Sequence, residues 1–297
     1  MDHAARIKIL MSGAGENPLE ELLVLGRQVH PSFPEGAIRE LHQDVANLFA
    51  QSQRVSSWGH GYHDFNHTSS VALATARLFH GLHSEGCVVA GEQLEQGIYS
   101  AYFHDIGLLQ LPGSTVSSEN GGIRGHEQRS FAALLTYLRA RSFPEDFIKG
   151  CKPMILCTSL EENPAQVEFA SPAIKQAAFA LATADILAQM ADRCYLERLP
   201  QLYQEMVEGG VKDYTSAVEL MGVTSAFYQQ VVLERIHTSL GNMARYMKAH
   251  FRERWGVNRN LYQESIFANI EYIRKIVSQC QGSKACLDSY LRRETPA

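Results

Sequence analysis

The sequence has few of the features that mark membrane proteins, nucleic-acid-binding proteins or β-proteins. The apolar run from 177 to 184 ends at Asp185, and such runs fall well short of the roughly 18 residues that a membrane span requires. No block of basic residues occurs, and the formal net charge is -5 at pH 7, so a duplex nucleic acid would find little electrostatic attraction. Alternating apolar runs are scarce, which argues against β-strands.

Two further absences, of a secretory signal and of a CxxC pair, bear on the cellular compartment of the protein. The first residues carry Asp2, Arg6 and Lys8 around a short apolar run, without the long apolar centre of a secretory signal. The 6 cysteines include no CxxC pair, which argues against a zinc ribbon or a dithiol redox site. We therefore expect a cytoplasmic protein whose cysteines are small buried hydrophobic residues in a reducing compartment.

The pattern of apolar residues predicts an all-α fold. With 45% hydrophobic and 20% charged residues, the composition is that of a compactly folded chain. Apolar residues recur mainly at spacings of three and four, and segments rich in glycine and proline separate the helical runs. We place helices at residues 17–30, 35–54, 66–83, 91–107, 125–141, 144–159, 172–195, 224–254 and 260–280, with Gly107 as a helix terminator and a flexible loop at 112–125.

Two histidines, His63 and His67, lie four residues apart in the segment YHDFNHT. In a helical conformation this spacing places both rings on one face. A pair of this kind is commonly structural or solvent-exposed, and no glutamate follows His63, so the HExxH motif of zinc proteases is absent. The pair alone leaves a structural and a functional interpretation open.

Three further polar residues lie within apolar helical segments. His104 and Asp105 are adjacent in AYFHDIGLL, and Asp185 lies in ALATADILAQMADR. A buried carboxylate without a partner is costly. A satisfied His-Asp core pair, or a salt bridge from Asp185 to an arginine or lysine, would meet this need separately. One divalent ion would satisfy imidazoles and carboxylates together, which favours a shared metal site.

The order of His67, then His104-Asp105, then Asp185 resembles the H…HD…D signature of the HD superfamily of metal-dependent phosphohydrolases. The resemblance implies that these four residues coordinate a divalent ion. Mixed nitrogen and oxygen ligation suits Mn, Fe, Mg, Co, Ni or Zn. It also implies a reaction in which a water molecule, its pKa lowered by the ion, attacks the phosphorus of a phosphoester.

The same resemblance predicts the domain organisation. An HD-domain helical bundle would occupy residues 55–200, with N-terminal helices at 1–54 packed on this core and a helical C-terminal extension at 201–297. The stretch ATADILAQMADRCYLERL is similar to bacterial members of the superfamily that continue into such an extension.

Two more residues gain roles from the resemblance. YHDFNHT is similar to the YHNxxH motif of cyclic-nucleotide phosphodiesterases, so His63 is the expected general acid, with Asp64 in place of the usual asparagine. His126, in GHEQRS, matches the histidine that binds a second ion in binuclear relatives, where Asp105 would bridge the two ions and so serve as both ligand and catalytic residue. The segment LCT at 156–158 stands where some relatives carry a further histidine pair, so one ion or two remain open.

Three cations flank these motifs and are expected to contact substrate phosphate: Arg124, Arg129 and Lys152. Solvation at the surface would explain them equally well. The expected partner is a small-molecule phosphoester of the nucleotide class, with no duplex nucleic acid and no membrane, and a homodimer is compatible with the sequence. The alternatives are an HD-fold di-iron oxygenase and a non-catalytic HD sensor or binding module.

Overall fold

The computed structural model describes residues 9–10, 17–55, 62–110 and 124–291 of the chain. The expectations for the first eight residues and for most of the loop at 112–125 concern residues outside this description. Within it, the chain forms twelve α-helices joined by short helical turns and loops, without a β-strand. The predicted all-α fold class is confirmed.

The helices are numbered in chain order. They are α1 (Pro18–Val29), α2 (Glu35–Val55), α3 (Phe65–Ser84), α4 (Gly91–Phe103), α5 (His126–Ala140), α6 (Glu145–Leu156), α7 (Pro172–Ala191), α8 (Tyr195–Glu208), α9 (Ala217–Phe227), α10 (Tyr246–Trp255), α11 (Leu261–Cys280) and α12 (Lys284–Asp288). Helices α1, α2, α3, α5, α6 and α11 agree with the predicted bounds to within three residues at each end.

Helices α3 and α7 form the centre of the fold. Both are buried along most of their length, as expected of helices with apolar or small residues on nearly every side. Helix α3 packs against α1, α4, α7 and α10, and α7 packs in addition against α6 and α11. Residues on these two helices are therefore held by neighbours from both halves of the sequence.

Capping residues determine where α3 and α7 begin. Asp64 Oδ1 accepts a hydrogen bond from the backbone N–H of His67 at 2.7 Å, and Ser171 Oγ accepts one from that of Ile174 at 3.2 Å. These side chains satisfy N–H groups that the first turn of a helix leaves free. Pro172 occupies the first position of α7, where its missing N–H costs nothing.

The helix predicted at 91–107 ends at Phe103, and a short 3₁₀ turn follows at Ile106–Leu108. Gly107 is therefore not a helix terminator, and that prediction is wrong. A Cβ atom at Gly107 would collide with the backbone carbonyl oxygen of His126 at the start of α5. Glycine is required here because two backbones approach closely.

The helix predicted at 172–195 ends earlier than expected, at Ala191. The Nδ2 group of Asn269 on α11 donates to the carbonyl oxygens of Met190 and Asp192, at 2.9 and 2.7 Å. These bonds satisfy carbonyl groups that the end of a helix leaves free. The turn after α7 is thus stabilised by a residue distant in sequence.

The run predicted as one helix at 224–254 is interrupted. After α9 the chain forms two π-helical segments, Tyr228–Val232 and Arg235–Ser239. Asn242 then has a φ of 55°, a left-handed conformation that no α-helix continues. The prediction of a continuous helix here is wrong.

Two cysteines are paired, contrary to expectation. Cys280 at the end of α11 and Cys286 in α12 form a disulfide, with Cα atoms 5.4 Å apart. Gln281 and Gly282 both have positive φ and fold the chain back, which brings the two cysteines together. Among the described residues, Cys87, Cys151, Cys157 and Cys194 take part in no disulfide.

Candidate metal centre

His67 lies in the first turn of α3, with 6% of its side chain exposed. The Asp64 cap holds this turn through the His67 backbone N–H. The Nε2 atom of His67 lies 3.2 Å from Oδ1 of Asp185 on α7. Because α3 and α7 pack side by side, two predicted ligands that are distant in sequence meet at the centre of the fold.

His104 follows α4 directly, and one of its ring nitrogens is hydrogen-bonded to the backbone. Its Nδ1 atom lies 2.7 Å from the carbonyl oxygen of Ala101. A carbonyl can only accept, so Nδ1 carries a proton and donates it, and Nε2 of the neutral ring presents a lone pair. A bond of this kind from one ring nitrogen to a backbone carbonyl typically orients a metal-binding histidine.

His67, His104 and Asp185 form a compact group whose ligand atoms all lie within 4.8 Å of one another. Nε2 of His104 is 3.6 Å from Oδ1 of Asp185. In the described part of the chain, this is the single group of three or more such ligands. Two imidazoles and a carboxylate at this spacing suit one transition-metal or zinc ion.

Asp105 lies between this group and His126. Its Oδ2 atom is 3.1 Å from Nε2 of His104 and 3.4 Å from Nε2 of His67, whereas its Oδ1 atom is 3.4 Å from Nε2 of His126. One carboxylate thus faces histidines on two sides, as a ligand shared between two ions would. The structure brings all five predicted metal-ligating residues together.

Two buried polar atoms of this cluster, Nε2 of His104 and Oδ2 of Asp105, have no hydrogen-bond partner. They lie 3.1 Å apart, yet the neutral ring and the carboxylate both present lone pairs. Two buried acceptors that face each other are unfavourable unless a proton or a cation lies between them. The residues therefore fit a divalent ion, and imidazole nitrogen and carboxylate oxygen are suitable ligands for one.

Protons compete with an ion for these residues. Burial lowers the pKa of His67, but Asp105 and Asp185 outweigh burial and raise that pKa to about 9. Burial likewise lowers the pKa of His104, and the same two carboxylates raise it well above its ordinary range. Burial raises the pKa of Asp185, but His104 and His67 lower it below its ordinary value. The cluster therefore takes up positive charge, either as protons or as metal.

His63 stands at the edge of the cluster, where its ring centroid is 5.7 Å from that of His67. Its Nδ1 atom lies 2.6 Å from Oε2 of Glu205 on α8, and its backbone N–H donates to Oε1 of the same carboxylate at 3.3 Å. The carboxylate can accept the Nδ1 proton, which leaves Nε2 for proton exchange with another group. His63 is thus held as an acid or base would be held.

Three residues of the cluster are partly exposed to solvent. The side chains of His63, His126 and Asp185 are 18%, 16% and 20% exposed. Those of His67 and His104 are only 6% and 1% exposed. A small solute can therefore contact the first three residues more readily than the two buried histidines.

The three cations predicted to contact substrate phosphate engage other groups. Arg124 is 73% exposed and lies 3.6 Å from Glu161. Arg129 donates from Nε to the carbonyl oxygen of Gly107 at 2.9 Å. Lys152 lies over an aromatic ring of α5, 5.9 Å from the ring centroid. These contacts do not involve the predicted metal ligands, and the substrate-binding role of the three residues stays a prediction.

Sequence reasoning missed two residues near the cluster, and both lie on α8. One is Glu205, the partner of His63. The other is Arg198, which forms ion pairs with Asp64 and Asp192 at 3.3 and 2.8 Å. The available signal was their spacing of seven residues, which places them on one face of a helix. That spacing does not reveal what the face contacts.

Comparison of the chain with protein-family models, with curated proteins and with solved structures found no match. Among the described residues, no helix combines the length and the apolar character needed to cross a bilayer. Function is therefore inferred from the cluster and the residues that hold it.

Proposed function

We propose that the protein is a metal-dependent phosphohydrolase that hydrolyses a phosphoester of a nucleotide or cyclic nucleotide. The observation that carries the proposal is the buried close contact of His104 Nε2 and Asp105 Oδ2, which needs a proton or a cation between the two atoms, beside His67 and Asp185. The resemblance of these four residues to the HD signature supports phosphoester hydrolysis as the reaction.

The four residues would hold one divalent ion. His126, facing Oδ1 of Asp105 at 3.4 Å, would contribute to holding a second. When bound, an ion of this kind lowers the pKa of a water molecule and offsets negative charge on phosphoryl oxygens. The protein orients these groups: the bond from His104 to the Ala101 carbonyl keeps Nε2 directed at the cluster, and the Asp64 cap holds the turn that carries His67.

His63 would act as the general acid. With its Nδ1 proton accepted by Glu205, the proton on Nε2 is the one that His63 can give to the departing oxygen. Without this proton the leaving group departs as an alkoxide, which is a poor leaving group. With the proton it departs readily as a neutral alcohol. The buried carboxylate of Glu205 also fixes the orientation of the ring for this transfer.

Metal analysis and a substrate panel test the proposal. Protein purified without chelators is analysed for divalent metals and then assayed on nucleotides, cyclic nucleotides and p-nitrophenyl phosphoesters, with Mn²⁺ or Mg²⁺ added back. We expect bound metal and hydrolysis that a chelator abolishes. Bound iron with oxygen consumption and no hydrolysis would favour the oxygenase instead. Nucleotide binding without turnover, at full metal occupancy, would favour the sensor.

A further inference from the structure

Helix α8 contacts the start of α3, which carries His67, and the end of α7, which carries Asp185. Arg198 in its first turns is 5% exposed. Its Nη1 group donates to the carbonyl oxygen of Tyr62 at 3.2 Å and to Oδ2 of Asp64 at 3.3 Å. Its Nε atom lies 2.8 Å from Oδ2 of Asp192. One buried guanidinium therefore joins the segment before α3 to the residue after α7.

On the α3 side, the contacts of Arg198 lead directly to the proposed ligand His67. Asp64 uses Oδ2 for Arg198 and Oδ1 for the backbone N–H of His67, at 2.7 Å. A displacement of Asp64 would therefore displace the first turn of α3, and His67 with it. Arg198 is therefore connected to the proposed ligand His67 through one intervening side chain, that of Asp64.

On the α7 side, the link acts through the helix itself. Asp192 follows the last residue of α7, and its Oδ1 atom accepts a hydrogen bond from the N–H of Cys194 at 2.9 Å. Asp185 lies about two turns earlier on the same helix, or about 10 Å along its axis at the usual rise per residue. Because a packed helix is stiff over this length, a contact that holds Asp192 also holds Asp185.

The charges explain why the link needs an arginine. The side chains of Asp64 and Asp192 are only 18% and 19% exposed, and that of Arg198 is 6% exposed. Without the guanidinium, two poorly solvated carboxylates would repel each other and drive the two helix ends apart. A lysine would keep the charge, but its ammonium group lacks the planar fork that serves several acceptors at once.

From this geometry we propose that Arg198 is a positioning residue for the metal centre. It fixes the first turn of α3 relative to the end of α7, and thereby sets the separation of His67 and Asp185 and their affinity for a divalent ion. Arg198 is not itself a ligand. The inference rests on the proposed function only in requiring that the cluster bind a divalent ion.

Titration with Co²⁺ tests the proposal, because its visible absorption reports both affinity and ligand geometry. The wild type is compared with Arg198→Gln, Arg198→Lys and Asp192→Asn. For Arg198→Gln we expect about 10- to 100-fold weaker binding, as is typical when the support of a metal ligand is removed, and a changed absorption spectrum. Arg198→Lys should fall between that variant and the wild type. Asp192→Asn, which weakens the contact at the end of α7 only, should also bind Co²⁺ less tightly.

Arg254→Gln is the matched control. The Nε and Nη2 atoms of Arg254 lie 3.1 Å from the two carboxylate oxygens of Glu21, and this ion pair joins α10 to α1. The substitution breaks this largely buried ion pair. It leaves the contacts at the first turn of α3 and at the end of α7 unchanged. We expect a lower unfolding temperature with unchanged Co²⁺ affinity and spectrum.

Wild-type affinity and spectrum in folded Arg198→Lys and Asp192→Asn would overturn the positioning role. Equal weakening in Arg254→Gln would overturn it too, because the effect would then follow from lost stability. If the wild type itself binds no Co²⁺, the assignment of the metal centre is wrong, and the positioning role of Arg198 is wrong with it. If the wild type binds Co²⁺ and the variants bind it equally well, only the positioning role is wrong.

Discussion

Oε2 of Glu205 lies 2.6 Å from Nδ1 of His63, although 142 positions separate the two residues in the chain. Helix α8 thereby completes a site whose other members come from α3, α4, α5 and α7. A carboxylate at this distance determines which ring nitrogen is engaged and which is left for chemistry. Substitutions can therefore separate the role of His63 as the acid from the role of Glu205 as its support.

His63→Ala should keep near-normal metal content and lose about 10²- to 10⁴-fold in rate on a natural phosphoester, the usual contribution of a positioned acid. The loss should be much smaller on a p-nitrophenyl ester, because p-nitrophenolate departs with little need for protonation. Metal analysis and rates on both esters are the measurements. An equal loss on both esters, or a variant stripped of metal, would mean that His63 positions substrate or ligates the ion.

Glu205→Gln should lower the rate on the natural ester to a value between those of the wild type and His63→Ala, because the amide keeps the shape of the side chain but not its charge. If Glu205 acts through His63, the double variant should be no slower than His63→Ala alone, since residues in one pathway are not additive. Gln204→Ala, a change at the exposed neighbouring position, is the control and should leave the rate unchanged. Additive losses in the double variant would assign Glu205 an independent role.

The all-α class and most helix bounds could be predicted because apolar spacing is a local property of the chain. The candidate metal ligands were also predictable, since His104 and Asp185 are polar residues within apolar runs and His67 precedes them in a motif order. The structure brings them together as a group whose ligand atoms lie within 4.8 Å of one another.

Contacts between distant elements could not be predicted in the same way. Many exposed helices carry an arginine and a glutamate seven residues apart, so nothing in α8 marked Arg198 and Glu205 as neighbours of the cluster. The sequence predicts a helix terminator at Gly107, because glycine commonly has that role near the end of a helical run. Its actual role depends on the approach of α5, which only the tertiary structure determines.

Asp105→Ala should abolish both metal binding and hydrolysis. The carboxylate lies 3.1 Å from His104 and 3.4 Å from His126, through different oxygens, so either a one-ion or a two-ion site loses a ligand. Asp146→Ala removes a carboxylate from a side chain that is 93% exposed and should change neither property. Full metal occupancy in Asp105→Ala would refute the ligand assignment.

The pKa of His67 predicts opposite effects of pH on the metal-free and the metal-loaded protein. That pKa rises from its ordinary 6.5 to about 9, since Asp105 and Asp185 outweigh the effect of burial. A raised pKa in the folded state means that the ion pairs stabilise the metal-free protein fully below pH 6.5 and that this contribution is lost as the pH rises through about 9. The unfolding temperature of chelator-treated protein should therefore fall across this range.

Metal binding should show the reverse trend, because an ion must displace the protons that His67 and His104 hold. The affinity for Mn²⁺ or Co²⁺ should rise from pH 6.5 to about 9, and stabilisation by a fixed excess of ion should grow with it. Calorimetric titrations at pH 7.5 in buffers of different ionisation enthalpy measure the protons released per ion bound. Binding without proton release would mean that the ion does not replace protons on these histidines, and the centre would then have to lie elsewhere in the protein.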